Sequence, residues 1–193
     1  MLNIYLYSYL TFTDPYADLP VSSYRMKHFG RNEELNRKKI INEHALLYSL
    51  KQSGIDLTGA CPDIRTAECG KPYIPDIGLN FNISDSGDML LIAVSSNEIG
   101  ADIEIINKDT DIDGIARRFF LREEADYLKS VSDPDLRASE FTRIWTIKEA
   151  YLKCLGTGLS GDLTSVSALN LPESYLFQTE RDGDYYYTVC EKN

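Results

Sequence analysis

The sequence predicts an α+β protein made of two similar α/β halves in one chain, residues 1–97 and 98–193. Three observations predict it. Each half contains one long helical stretch and several short alternating stretches bounded by turn residues. Phe29–Glu34 (F-G-R-N-E-E) resembles Phe120–Glu124 (F-L-R-E-E), and each is followed by a long helix, a polar loop and strands with a tight turn. At 193 residues and 43% apolar content, the chain suits one large domain or two small ones with ample core.

Leu2 to Phe12 alternates apolar Leu2, Ile4 and Leu6 with polar and tyrosine positions, which predicts a strand that Asp14-Pro15 ends. Asn36 to Gln52 predicts a helix with Ile40, Ile41, Leu47, Tyr48 and Leu50 inward, stopped by Ser53-Gly54. Thr58 to Pro75 is rich in Gly and Pro and reads as loop. Leu79–Ile83 and Met89–Ser95 read as paired strands around a turn at Ser84–Asp88. Ile99 to Ile106 alternates as a strand, and Ile112–Phe120 and Arg122–Ser130 as helices broken at Ser132-Asp-Pro134. The next helix carries Phe141, Ile144, Trp145, Leu152 and Leu155 at helical spacing, with Gly156 as its stop. Ser165–Leu171, Tyr175–Thr179 and Tyr185–Cys190 read as strands, the last two joined through Asp182-Gly183.

Composition excludes several function classes. A formal charge of −10 argues against general nucleic-acid affinity. The charge is uneven: Ser23 to Lys51 holds seven Lys/Arg against three Glu, so a +4 segment sits in a chain that is otherwise −14. Such a segment is either a solvated face or a surface for a phosphate or an acidic partner. No apolar run approaches ~18 residues, and no signal-peptide pattern opens the chain, so a cytoplasmic, non-membrane protein is expected. Cys61, Cys69, Cys154 and Cys190 form no C-x-x-C pair and read as free thiols. Only His28 and His44 are present, which leaves a His-rich zinc site or a Ser-His-Asp triad little support.

Two stretches carry chemistry. In the Trp145 helix, residues advance about 100° each, so Trp145, Glu149 and Lys153 share one side, with Lys148 adjacent. A buried Trp beneath a carboxylate and two ammonium groups would floor an anion site; an i,i+4 Glu→Lys pair on a solvated face is the plain alternative. In Gly100–Glu104 (G-A-D-I-E), Asp102 and Glu104 point the same way about 6.6 Å apart while the isoleucines enter a core. Carboxylates that close repel unless a cation lies between them, and magnesium takes such oxygens together with substrate phosphates. The plain alternative is an edge strand with its charges in water.

Taken together, G-A-D-I-E at 100–104, A-R-R-F-F at 116–120 with Glu124 beyond, and W-T-I-K-E-A-Y-L-K at 145–153 resemble the 4′-phosphopantetheinyl transferases. The length and two-half pattern are similar to the surfactin-synthetase type, a pseudo-twofold dimer in one chain. G-K-P at 70–72 and F-N-I-S-D-S at 81–86 add N-terminal support. The resemblance implies transfer of 4′-phosphopantetheine from coenzyme A to a serine of an apo acyl or peptidyl carrier protein, releasing adenosine 3′,5′-bisphosphate. It implies magnesium on Asp102, Glu104 and Glu149, with Lys148 and Lys153 on the phosphates. Glu149 or Lys153 would take the serine proton. Lys71 and Ser84 would line the adenosine end, and Arg25 and Lys38, or the neighbouring Arg37 or Lys39, would meet the 3′-phosphate. A monomer is implied. Asp85 stands where the family has a histidine expected on that phosphate, so the chain departs from the pattern there. Two rival readings are a carrier-binding homologue with impaired turnover and another magnesium-dependent phosphoryl or nucleotidyl transferase.

Overall fold

A computed structural model describes residues 1–57, 62–157 and 162–193. Gly59 and Cys61 of the predicted loop, and Gly158 beyond the Trp145 helix, lie outside the described residues.

The chain runs β1 (Leu2–Ser8), α1 (Ser23–Lys27), α2 (Glu33–Gln52), β2 (Arg65–Thr66), β3 (Pro72–Tyr73), β4 (Asn80–Ser86), β5 (Met89–Ser95) and β6 (Ile99–Ile105). It continues through α3 (Ile112–Phe119), α4 (Arg122–Ser130), α5 (Pro134–Leu155), β7 (Tyr175–Asp182) and β8 (Tyr185–Lys192). Two antiparallel three-stranded sheets, β1-β5-β4 and β6-β8-β7, match strand for strand in connectivity. In each, a long helix follows the first strand, and the last two strands form a hairpin that turns at a glycine of positive φ, Gly87 (56°) or Gly183 (57°). These are two similar α/β halves.

Both long helices are capped by short polar side chains. Asn32 accepts from Leu35 N–H at the start of α2. Asp133 accepts from Leu136 N–H at the start of α5, with Pro134 at the first helical position. Gly156 ends α5 in the left-handed conformation, φ 68°. Helix α2 buries Ala45, Leu46 and Leu50 on Phe81, Leu90, Ile92 and Val94 of the first sheet. Between the sheets lie Leu91 and Ala93 against Ile99, Ala101, Ile103, Tyr187 and Val189. Helix α5 lies on β6 and β8 so tightly that a Cβ on Gly100 would stand 2.0 Å from the Ala150 carbonyl oxygen. Among the described residues no helix is long and apolar enough to cross a membrane.

Several expectations shift. The strand expected to stop at Ile83 runs through Ser84, Asp85 and Ser86, so the turn is Gly87-Asp88 alone. Backbone pairing with β5 continues there despite the turn-forming residue types, because the partner Met89–Leu91 supplies the ladder. Ser165–Leu171 is not a strand: a 3₁₀ turn at Leu163–Ser165 and a single bridge between Ser167 and Asn170 replace it. The first strand ends at Ser8. The repeat motif at Phe120–Glu124 leads into the short α4 and not directly into α5, so its match to Phe29–Glu34, which leads into α2, is offset by one element.

Candidate functional site

The free edge of β6 meets one face of β4, and side chains close the gap. The N–H groups of Ala101, Ile103 and Ile105 on the free edge of β6 donate to Asn82 Oδ1 (2.9 Å), Ser84 Oγ (3.4 Å) and Ser86 Oγ (3.2 Å). The N-x-S-x-S alternation at 82–86 puts these three polar groups on one face of β4. The seam satisfies backbone donors that an open edge would expose. It also reaches the carboxylates: Ser84 Oγ donates to Asp102 Oδ1 at 3.0 Å and Ser86 Oγ to Glu104 Oε2 at 2.9 Å.

Lys153, one helical turn after Glu149 on α5, extends its ammonium into the same place. It donates to Asp102 Oδ1 at 2.5 Å and Ser84 Oγ at 3.1 Å. Asp102 is buried, and its Oδ2 has no hydrogen-bond partner among the described residues. Among the described residues Glu149 makes no hydrogen bond or ion pair, and it is half-buried. Burial pushes the carboxyl pKa of all three acids up: for Asp102 the Lys153 ammonium opposes it, for Glu104 the Asp102 charge adds to it, and for Glu149 the Asp102 charge adds as well. Three carboxylates thus crowd within electrostatic reach of one ammonium.

No three His, Cys, Asp or Glu side chains among the described residues stand as a ready-made metal cage. The donor set nevertheless fits a hard cation that shares its coordination with ligand oxygens: the orphaned Asp102 Oδ2, the second oxygen of Glu104 and the unpaired Glu149 are all oxygen donors with raised proton affinity.

Lys148 is not at this site, contrary to expectation. It is fully buried on the side of α5 facing α4, paired with Glu124 at 2.8 Å. It donates to the carbonyls of Leu163 (2.8 Å) and Val166 (2.6 Å) and lies over the Phe120 ring. One residue along a helix turns the side chain by about 100°, which separates Lys148 from Glu149. Burial lowers its pKa, and Glu124 opposes that. Trp145 is half-buried rather than a buried floor; it packs on Phe119, Phe120 and Phe141 and flanks Glu104 in a cavity of about 290 Å³.

Lys71 donates to the Ile99 carbonyl (2.8 Å) and Glu98 (3.3 Å), and lines a cavity of about 470 Å³ between the halves. Ser84, expected beside it, is not in that cavity: its place on β4 turns it to Asp102 and Lys153. Pro72, Tyr73 and Leu79 from one half face Cys154, Leu155 and Tyr175 from the other there. Cys69, Cys154 and Cys190 are free thiols. At the other end of the seam, Lys38 donates to the Gly87 carbonyl (2.8 Å) and lies over the Tyr9 ring. Arg25 is paired with buried Glu43 at 3.5 Å, with its Nε lacking a hydrogen-bond partner. Asp85 is exposed, makes no ion pair among the described residues, and contacts Asn42 Nδ2 at 3.5 Å. Tyr9 joins this group through Asn42, its hydroxyl pKa raised by burial and by the Asp85 charge. The sequence reading missed Asn82, Ser86, Asn42 and Tyr9. The period-two spacing of 82, 84 and 86 was the available signal, hidden by ending the strand at Ile83.

The description of the 4′-phosphopantetheinyl transferase superfamily matches residues 98–192. A Bacillus subtilis 4′-phosphopantetheinyl transferase is 33% identical over 180 residues, 86% of this chain and 78% of the relative. The Sfp enzyme of Bacillus subtilis strain 168 is 38% identical over 144 residues, 66% of this chain and 63% of its own length. HetI of a Nostoc species is 41% identical over 96 residues, 47% of this chain and 40% of its own length.

Proposed function

The chain belongs to the 4′-phosphopantetheinyl transferase superfamily, and on that premise we propose that it moves 4′-phosphopantetheine from coenzyme A to a serine of an apo acyl or peptidyl carrier protein. The observation that carries the reading is the meeting of Asp102, Ser84 and Lys153 at the seam, beside the unpaired Glu149. The two halves, 1–97 and 98–193, are read as a pseudo-twofold pair with the substrate lying across their seam.

Asp102, Glu104 and Glu149 would hold magnesium together with diphosphate oxygens. Bound there, the ion supplies charge neutralisation on the diphosphate as its phosphorus–oxygen bond breaks. Lys153 places an ammonium beside the same carboxylate, where it favours negative charge on the leaving adenosine 3′,5′-bisphosphate. Glu149 would take the proton of the incoming serine hydroxyl; burial holds its pKa above the usual carboxylate value before a cation binds. The cavity at Lys71 lies at the Ile99 end of the seam and Lys38 at the Gly87 end, so the adenosine end, whose ribose carries the 3′-phosphate, is read at Arg25 and Lys38 and not at Lys71. Arg25, Lys38 and Asn42 surround the position where the 3′-phosphate falls by the resemblance.

The test is mass spectrometry of apo carrier proteins after incubation with the chain, coenzyme A and Mg²⁺. A mass gain equal to phosphopantetheine, with 3′,5′-ADP in the supernatant, is the expected result. A carrier left unmodified, or one bearing a nucleotidyl group, contradicts the reading.

A further inference from the structure

We propose that Ser86 is a positioning residue, through which the first half of the chain orients the Glu104 carboxylate of the second half for metal binding. The proposal rests on the transferase reading above and adds to it a residue with no assigned role.

A serine hydroxyl has one proton and two acceptor lone pairs. Ser86 Oγ accepts the Ile105 N–H at 3.2 Å, which fixes the oxygen against the edge of β6. Its proton then has one place to go, Glu104 Oε2 at 2.9 Å. Among the described residues this is the only hydrogen bond the Glu104 carboxylate receives, whereas the Asp102 carboxylate is held by both Ser84 and Lys153. Glu104 is half-buried with three side-chain torsions, so Ser86 is what selects one conformer from several. The bond occupies one carboxylate oxygen and leaves the other for a cation. The same relation holds one period earlier on the strand, Ser84 to Asp102, and the two serines reach their acids at the same sequence separation of 18. Asn82 shows that sealing the edge needs no such contact: it accepts the Ala101 N–H at 2.9 Å and touches no carboxylate. Seam closure and carboxylate orientation are therefore separable.

The test measures Mn²⁺ affinity by electron paramagnetic resonance in the presence of coenzyme A, with melting temperature recorded alongside. Ser86→Ala weakens Mn²⁺ binding roughly tenfold, as loss of a partner behind a metal ligand does. Ser86→Thr, which keeps the hydroxyl, stays within about twofold of the parent. Asn82→Ala, which removes a seam bond of the same kind, melts lower but binds Mn²⁺ as the parent does. Parent-like Mn²⁺ binding by Ser86→Ala overturns the proposal, as does an equal loss in Ser86→Thr or in Asn82→Ala. A parent chain that binds no Mn²⁺ beside coenzyme A overturns the transferase reading itself, so the two failures are distinct.

Discussion

Among the described residues Glu149 differs from its two neighbours in having no hydrogen-bond or ion-pair partner: Asp102 is held by Ser84 and Lys153, and Glu104 by Ser86. A carboxylate left without partners while burial raises its pKa is available for a cation or a proton. Glu149→Gln should keep the fold and lower kcat by about 100-fold or more, the size expected when a general base is removed. Burial raises the Glu149 pKa in the metal-free chain and a cation on the same carboxylate lowers it, so Mg²⁺ binding beside coenzyme A should release protons, more at lower pH, read by calorimetry in two buffers. No proton release contradicts Glu149 as a ligand. Asp85 makes a second prediction at this scale. It is exposed and has no cation paired to it among the described residues, so its charge opposes the 3′-phosphate that the resemblance puts there. Asp85→Asn should raise kcat/KM for coenzyme A relative to its 3′-dephospho form about fivefold, the effect of ~1 kcal/mol of repulsion at ~4 Å in water. An unchanged ratio places the phosphate elsewhere.

At the scale of elements, α5 carries the residues proposed for the site next to residues that hold the fold. Glu149 and Lys153 face the seam, while Lys148 ties α5 to α4 and to the carbonyls of Leu163 and Val166. Lys148→Met leaves Glu124 charged and buried without its partner. It should cost roughly 3–5 kcal/mol and lower the melting temperature by about 10 °C. Adding Glu124→Gln, which keeps the acceptor for the Ala168 N–H, should recover much of that loss. A parent-like melt for Lys148→Met removes the structural role given to it. Gly100 is the point where β6 and α5 touch backbone to backbone, and Gly100→Ala should cost more than about 3 kcal/mol because neither the Ala150 carbonyl nor the Cys154 N–H can retreat without moving the helix. Thermal denaturation decides it.

The same elements show what the sequence made legible. Asp133-Pro134 and Gly156 mark the two ends of α5, and alternation in Ile99–Ile105 marks β6, because caps and period-two patterning are local signals. The three acids and Lys153 were readable for the same reason. Lys148 was misplaced because a helix turns about 100° per residue, and only the packing of α4 decides which side is interior. Ser84 to Ser86 read as turn because their residue types favour turns, and the long-range pairing with Met89–Leu91 overrode that preference.

At the scale of the whole molecule, the proposed site needs both halves. The first sheet contributes the Ser84 and Ser86 hydroxyls, which meet the acids across the β4–β6 seam, and the second half contributes the acids and the Lys153 ammonium. The crowded acids also make the metal-free state strained by their own repulsion. Glu104→Gln should therefore melt slightly higher than the parent without Mg²⁺, since its carboxyl pKa is raised by burial and by Asp102, yet gain less from added Mg²⁺ and coenzyme A. The measurement that reaches the central claim most directly is anomalous diffraction from crystals grown with Mn²⁺ and coenzyme A. One Mn²⁺ peak about 2.0–2.3 Å from oxygens of Asp102, Glu104 and Glu149 is expected, with the diphosphate completing its coordination. A peak that leaves Glu149 out of contact, or coenzyme A bound away from the seam, contradicts it.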